Sequence, residues 1–100
     1  MIISTNPNIN LGKVKVGESK NFNFTIKNSG ISDNAIKNIH VGCGSCTNAT
    51  CDSYIIKSNQ TLPLNVTFTP SYEGIQKKYV NVTFTSGENL KLEFTADVYR

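Results

Sequence analysis

Four stretches of this chain alternate apolar and polar residues with a strict period of two, and that alternation constrains the fold more than any other feature. In Lys20–Asn28 the apolar set is Phe22, Phe24 and Ile26, set against Asn21, Asn23, Thr25 and Lys27. Leu62, Leu64, Val66 and Phe68 alternate with Pro63, Asn65, Thr67 and Thr69; Val80, Val82 and Phe84 alternate with Asn81 and Thr83. Leu90, Leu92, Phe94, Ala96 and Val98 do the same against Lys91, Glu93, Thr95 and Asp97. Successive side chains of a strand point to opposite faces, so each stretch buries one face and wets the other. No window repeats at 3.6 residues, which removes amphipathic helices from the framework.

Weaker signals fill the gaps. Ile9, Leu11, Val14 and Val16 form another inward set whose parity changes across Gly12 and Lys13, predicting a bulge or a switch between sheets. Ile36, Ile39 and Val41 mark a strand over Ala35–Val41, and Tyr54-Ile55-Ile56 a brief edge strand. Gly17-Glu18-Ser19, Asn28-Ser29-Gly30, Lys57–Gln60 and Pro70–Gly74 are turn chemistry, and Ser86–Asn89 a hairpin connection. Pro63 lacks a ladder donor, so its end of the strand is expected on an edge or outside regular pairing. The result is one all-β domain over residues 1–100, an antiparallel β-sandwich of about seven strands. Each inward side chain contributes roughly 1.5–3 kcal/mol when buried, so the fold needs no disulfide.

All three cysteines and the single histidine fall within His40–Cys51, which reads as the turn between the two halves of the sandwich. His40, Cys43, Cys46 and Cys51 read H-x2-C-x2-C-x4-C, ligands enough for a tetrahedral zinc site of thiolates and imidazole. Against zinc, His40 sits at a strand end and the spacing departs from the short zinc signatures. Two other readings stay open. Cys43 packs as a small apolar side chain beside Val41 with the other cysteines in a reduced loop, or Cys51 pairs with Cys43 or Cys46 in an oxidising environment.

Charge and composition narrow the function classes. The net charge is +3, and Lys77-Lys78 is the only adjacent basic pair, so no stripe for tracking phosphates exists and nucleic acid is not an expected partner. Glu73, Glu88, Glu93 and Asp97 fall at turns or outward positions, and one histidine without a nucleophile makes no triad. The chain is therefore read as no enzyme, without catalytic residues, a small-molecule substrate or a cofactor other than the zinc candidate. The N-terminus lacks the pattern of a signal peptide, and no apolar run nears the roughly 20 residues of a membrane helix. Cytoplasmic synthesis and no membrane partner are the expectations, under which the Asn-X-Thr sequences at Asn23, Asn48, Asn65 and Asn81 carry no meaning. Asn23, Thr25, Asn65, Thr67, Asn81 and Thr83 make the outward surface polar but largely uncharged. Such a surface is desolvated without stranding charges, which suits docking onto a protein, with Tyr54, Tyr72 and Tyr99 as contact aromatics.

The order of these pieces resembles the Ig-like family of hydin and abnormal-spindle domains, and its uncharacterised bacterial branch with a Cys-Gly-Cys-Thr turn. The matching pieces are Leu11-Gly12-Lys13-Val14 with Gly17-Glu18, and Phe22–Gly30. They continue with Cys43-Gly44-Ser45-Cys46-Thr47, Val66–Pro70, Gly74 and Leu90–Val98. Ser45 interrupts the family's turn and Cys51 is additional. The resemblance implies an Ig-like sandwich acting as a structural or docking module within a larger assembly. An accessory decoration, neck or tail component of a phage particle, held by capsid or tail proteins, is one form it would take.

Overall fold

The computed structural model describes residues 1–42 and 47–100. Among them nine strands occur: β1 (Ile2–Ser4), β2 (Asn8–Lys15), β3 (Lys20–Asn28), β4 (Asn34–Val41), β5 (Thr47–Cys51), β6 (Ile55–Ile56), β7 (Thr61–Phe68), β8 (Gly74–Phe84) and β9 (Asn89–Tyr99). They form a four-stranded sheet in the order β1-β3-β7-β5 and a five-stranded sheet in the order β2-β9-β8-β4-β6. The protein is an all-β, Ig-like sandwich. The period-two sets meet between the sheets: Phe24, Ile26, Leu64, Val66 and Phe68 from one, Val80, Val82, Phe84, Leu92, Phe94 and Ala96 from the other, all buried. Phe94 joins the layers, packing edge-on against Phe22 at 4.9 Å and Phe68 at 5.2 Å between ring centroids.

Three local features differ from the simple pattern. The sandwich is not wholly antiparallel, because β2 runs parallel to β9. The chain begins in the four-stranded sheet as β1 and changes sheets at Asn6-Pro7. Asn6 imitates a strand residue there, its Oδ1 accepting from the Thr25 amide at 2.7 Å and its Nδ2 donating to the Asn23 carbonyl at 3.2 Å. The Pro7 carbonyl then accepts from Glu93 and opens the pairing with β9. The parity change across Gly12 is a bulge within β2. The register slips between Asn10 and Lys13, Gly12 has φ +71°, and its amide donates to Asn10 Oδ1.

Pro63 stands in the middle of the four-stranded sheet yet costs no ladder bond. Its partner Thr25 donates to Asn6 and accepts from Thr5, so the Thr25–Pro63 pair exchanges no hydrogen bonds. On the other flank β5 stops at the Cys51–Leu64 pair, so Pro63 faces an open edge there.

His40–Cys51 is not one continuous turn. His40 and Val41 end β4, and Thr47–Cys51 is a strand that returns to the four-stranded sheet, pairing with β7 from Thr47–Phe68 to Cys51–Leu64. Cys43 and Cys46 lie outside the described residues.

The molecule measures 47 × 21 × 19 Å. Met1 accepts from Ser29 and Ile2 donates to Glu88 at one pole, while Val16 donates to Tyr99 at the other. The termini are thus separated by the length of β9. The first pole is organised by Asn28, a buried amide: Nδ2 donates to the Ser32 and Ile56 carbonyls and Oδ1 accepts from Gly30.

Candidate functional site

The chain crosses between the sheets twice along one flank, from β4 to β5 and then from β5 to β6. Ser53 shapes the second crossing, its hydroxyl accepting from the Ile55 amide, and the Tyr54 carbonyl accepts from Ile36 to start the short β6 pairing. An open cleft of about 460 Å³ lies along this flank, lined by Ile36, Lys37, Asn38, Ile39, Ala49 and Tyr54. Tyr54 and Ile55 are each more than half exposed beside it.

Two of the four candidate zinc ligands are described. His40 stands opposite Asn81 and is exposed on the outer face of the five-stranded sheet. Cys51 belongs to the four-stranded sheet, half-buried and packed against the core as a free thiol. Burial first, and the neighbouring Asp52 charge second, push its thiol from the ordinary 9.0 up to about 11. A thiol held neutral in this way is a weak nucleophile, and any metal would have to displace its proton. Among the described residues no group of three or more His, Cys, Asp and Glu side chains is placed to hold a metal ion.

The outward asparagines and threonines separate by sheet. Asn23, Thr25, Asn65 and Thr67 share the outer face of the four-stranded sheet, whereas Asn81 and Thr83 lie on the five-stranded one. Asn48 and Thr50 of β5 extend the first group, so two cross-strand rows form: Asn21–Thr67–Asn48 and Asn23–Asn65–Thr50. Thr67 donates to Asn21 Oδ1 at 2.8 Å within the first row. From Asn21 to Thr25, Pro63 to Thr67 and Asn48 to Thr50, this face carries no charged side chain; Lys27 follows Thr25 towards the N-terminal pole, and Asp52 follows the end of β5. The opposite face differs in kind. Lys77 pairs with Glu93 at 3.3 Å, and Lys91 lies over the Tyr79 ring at 4.4 Å.

Sequence reasoning missed β5 and with it Asn48 and Thr50. The sequence Thr47-Asn48-Ala49-Thr50-Cys51 alternates like its neighbours, but its inward members are small or polar and give little hydrophobic signal. It also missed Ile75, which is 80% exposed near the C-terminal pole, where Tyr72 and Tyr99 are exposed as expected.

No curated protein matches this chain. Solved structures do. A protein of unknown function from Porphyromonas gingivalis superimposes with a TM-score of 0.81 at 12% identity, covering 96% of this chain and 46% of its own, so this chain spans about half of that protein. The ASH / PapD-like domain 7 of human CEP192 gives 0.74 at 14% identity, covering 99% of this chain and 85% of its own. An MSP family member of C. elegans gives 0.66 at 12% identity, covering 99% and 98%. These likenesses show the PapD-like and MSP type of Ig-like fold. Residues 2–98 match a family model along almost the whole chain, and the chain belongs to that family, described as a protein of unknown function (DUF1573).

Proposed function

We propose that this domain is a non-enzymatic docking module whose contact surface is the outer face of the four-stranded sheet. The observation that carries the reading is the merging of Asn and Thr residues from β3, β7 and β5 into one uncharged patch of that face, on a molecule whose other sheet carries charges across its outer face. Neutral amides and hydroxyls both donate and accept, so a protein partner covers them without burying an unpaired charge. The PapD-like and MSP neighbours agree with such a role at the level of fold only. Zinc binding by His40, Cys43, Cys46 and Cys51 is the less favoured reading, since His40 is exposed on one sheet and Cys51 packs inward on the other.

The test is affinity capture from the native source with two variants. Asn23→Lys with Asn65→Glu charges the face while the two new side chains, directly opposite, satisfy each other. Asp97→Asn alters the other sheet. The expected result is a partner retained by wild type and Asp97→Asn and lost with the double variant. Capsid, neck or tail proteins among those retained would make the module a phage accessory component. A protein that captures nothing, or whose partner ignores the double variant, refutes this reading.

A further inference from the structure

Along β3 and β7 the outward pairs are Thr25–Pro63, Asn23–Asn65 and Asn21–Thr67. Thr25 and Pro63 exchange no backbone hydrogen bonds, and such pairs alternate with bonded ones. All three outward pairs are therefore of the close kind, about 4.5 Å between Cα atoms, and their side chains stand side by side as rungs. Residues two apart on a strand share a face, which spaces the rungs about 6.7 Å along it. Asn21, Asn23 and Pro63 are exposed, and Thr25, Asn65 and Thr67 half-buried.

Each rung turns both a donor and an acceptor to solvent. The side-chain amides of Asn23 and Asn65 make no hydrogen bond among the described residues, so each keeps its NH2 and its oxygen unspent. In the next rung Thr67 gives its hydroxyl proton to Asn21 Oδ1, which leaves the Asn21 amide protons and the Thr67 oxygen lone pairs outward. Thr25 adds a hydroxyl to the third. No side chain of the three rungs is charged or aromatic.

We infer that these rungs bind the main chain of an extended, uncharged segment of the partner laid along β3 and β7, which rests on the docking reading above and states what that face would grip. In an extended chain the N–H and C=O of one residue point to the same edge, and the next residue to do so lies two further on. The groups on one edge thus repeat at the same pitch of about 6.7 Å as the rungs. A primary amide matches that couple, its NH2 donating to the carbonyl and its oxygen accepting from the N–H. With one residue of the segment over Asn23–Asn65, the residue two along falls over Asn21–Thr67, and both chains twist with the same hand. A main chain carries no charge for a lysine or glutamate to pair with, so neutral rungs are its complementary surface. A folded surface has spent its main-chain groups on its own ladders, which singles out an unpaired segment as the occupant.

The experiment is an NMR titration of the full chain with a capped octapeptide of alternating serine and threonine. The side-chain amide signals of Asn21, Asn23 and Asn65 are expected to shift while the core signals stay in place, which also reports that each variant is folded. The same octapeptide methylated at every main-chain nitrogen is expected to shift none of them. Asn23→Ala and Asn65→Ala each remove one amide and are expected to weaken binding by about three- to tenfold. Asn81→Ala, outward on the other sheet, is expected to leave it unchanged. Signals unmoved up to the solubility limit of the peptide overturn the inference. So does equal binding of the methylated peptide, or binding indifferent to Asn23→Ala and Asn65→Ala. Any of these, beside a captured partner that charging the face still releases, removes this inference alone and leaves the docking reading standing.

Discussion

Asn28 and Cys51 are the residues whose surroundings make the sharpest claims. The Asn28 side chain ties the loop after β3 to β6, and truncating it strands the Ile56 carbonyl in the interior. Leaving buried partners unsatisfied costs about 1–3 kcal/mol each. Asn28→Ala is therefore expected to lower stability by about 3 kcal/mol, seen as a fall in the urea midpoint with unchanged slope. Cys51 makes a pH-dependent claim. Its folded thiol ionises near 11 whereas the unfolded thiol ionises near 9.0, so folding is favoured by the neutral form. That contribution is complete below pH 9 and lost as pH rises towards 11. The difference in urea midpoint between wild type and Cys51→Ala should accordingly change across pH 9–11 and stay flat below it. Gln76 is the counter-case, a buried amide whose Oε1 has no partner among the described residues while Nε2 donates to the Tyr72 carbonyl. Gln76→Leu should cost little, within about 1 kcal/mol, because it removes an unpaired acceptor along with one bond.

At the scale of elements, the bulge in β2 is the clearest single device. A Cβ at Gly12 would meet nothing within 4 Å, so the cost of Gly12→Ala is conformational alone. With φ at +71°, about 1–2 kcal/mol is expected, readable as a lowered thermal midpoint. The strands that were legible in the sequence are those whose inward positions hold large apolar residues, such as Phe22–Ile26 and Leu90–Val98. Their parity located the core, and the Gly12 parity break located the bulge. β5 was not legible, because Thr47, Ala49 and Cys51 fill its inward positions and β7 supplies its pairing. β1 was hidden for a related reason, being held to the sheet by only three pairs and by the Asn6 side chain beyond them. The division of the Asn-Thr surface between two sheets was equally invisible. Alternation says that a residue points outward and says nothing about which layer it belongs to. The zinc spacing was visible in sequence, whereas the assignment of His40 to β4 and Cys51 to β5, in different sheets, was not.

At the scale of the whole molecule, the parallel pairing of β2 with β9 bears on how the domain responds to force. The chain enters at one pole and leaves at the other, separated by roughly 33 Å along β9 at about 3.3 Å per residue. Tension applied through the two ends drags β2 and β9 past each other along their length. The bonds between them, from Asn8–Glu93 to Lys15–Tyr99, are then loaded together instead of opening one at a time like a zipper. In single-molecule stretching the domain should therefore yield at a high force in one step. Val14→Pro, which introduces a residue with no N–H into the midst of that pairing, should yield at a distinctly lower force. A fold assembled from alternating side chains thereby acquires the character of a tension-bearing link.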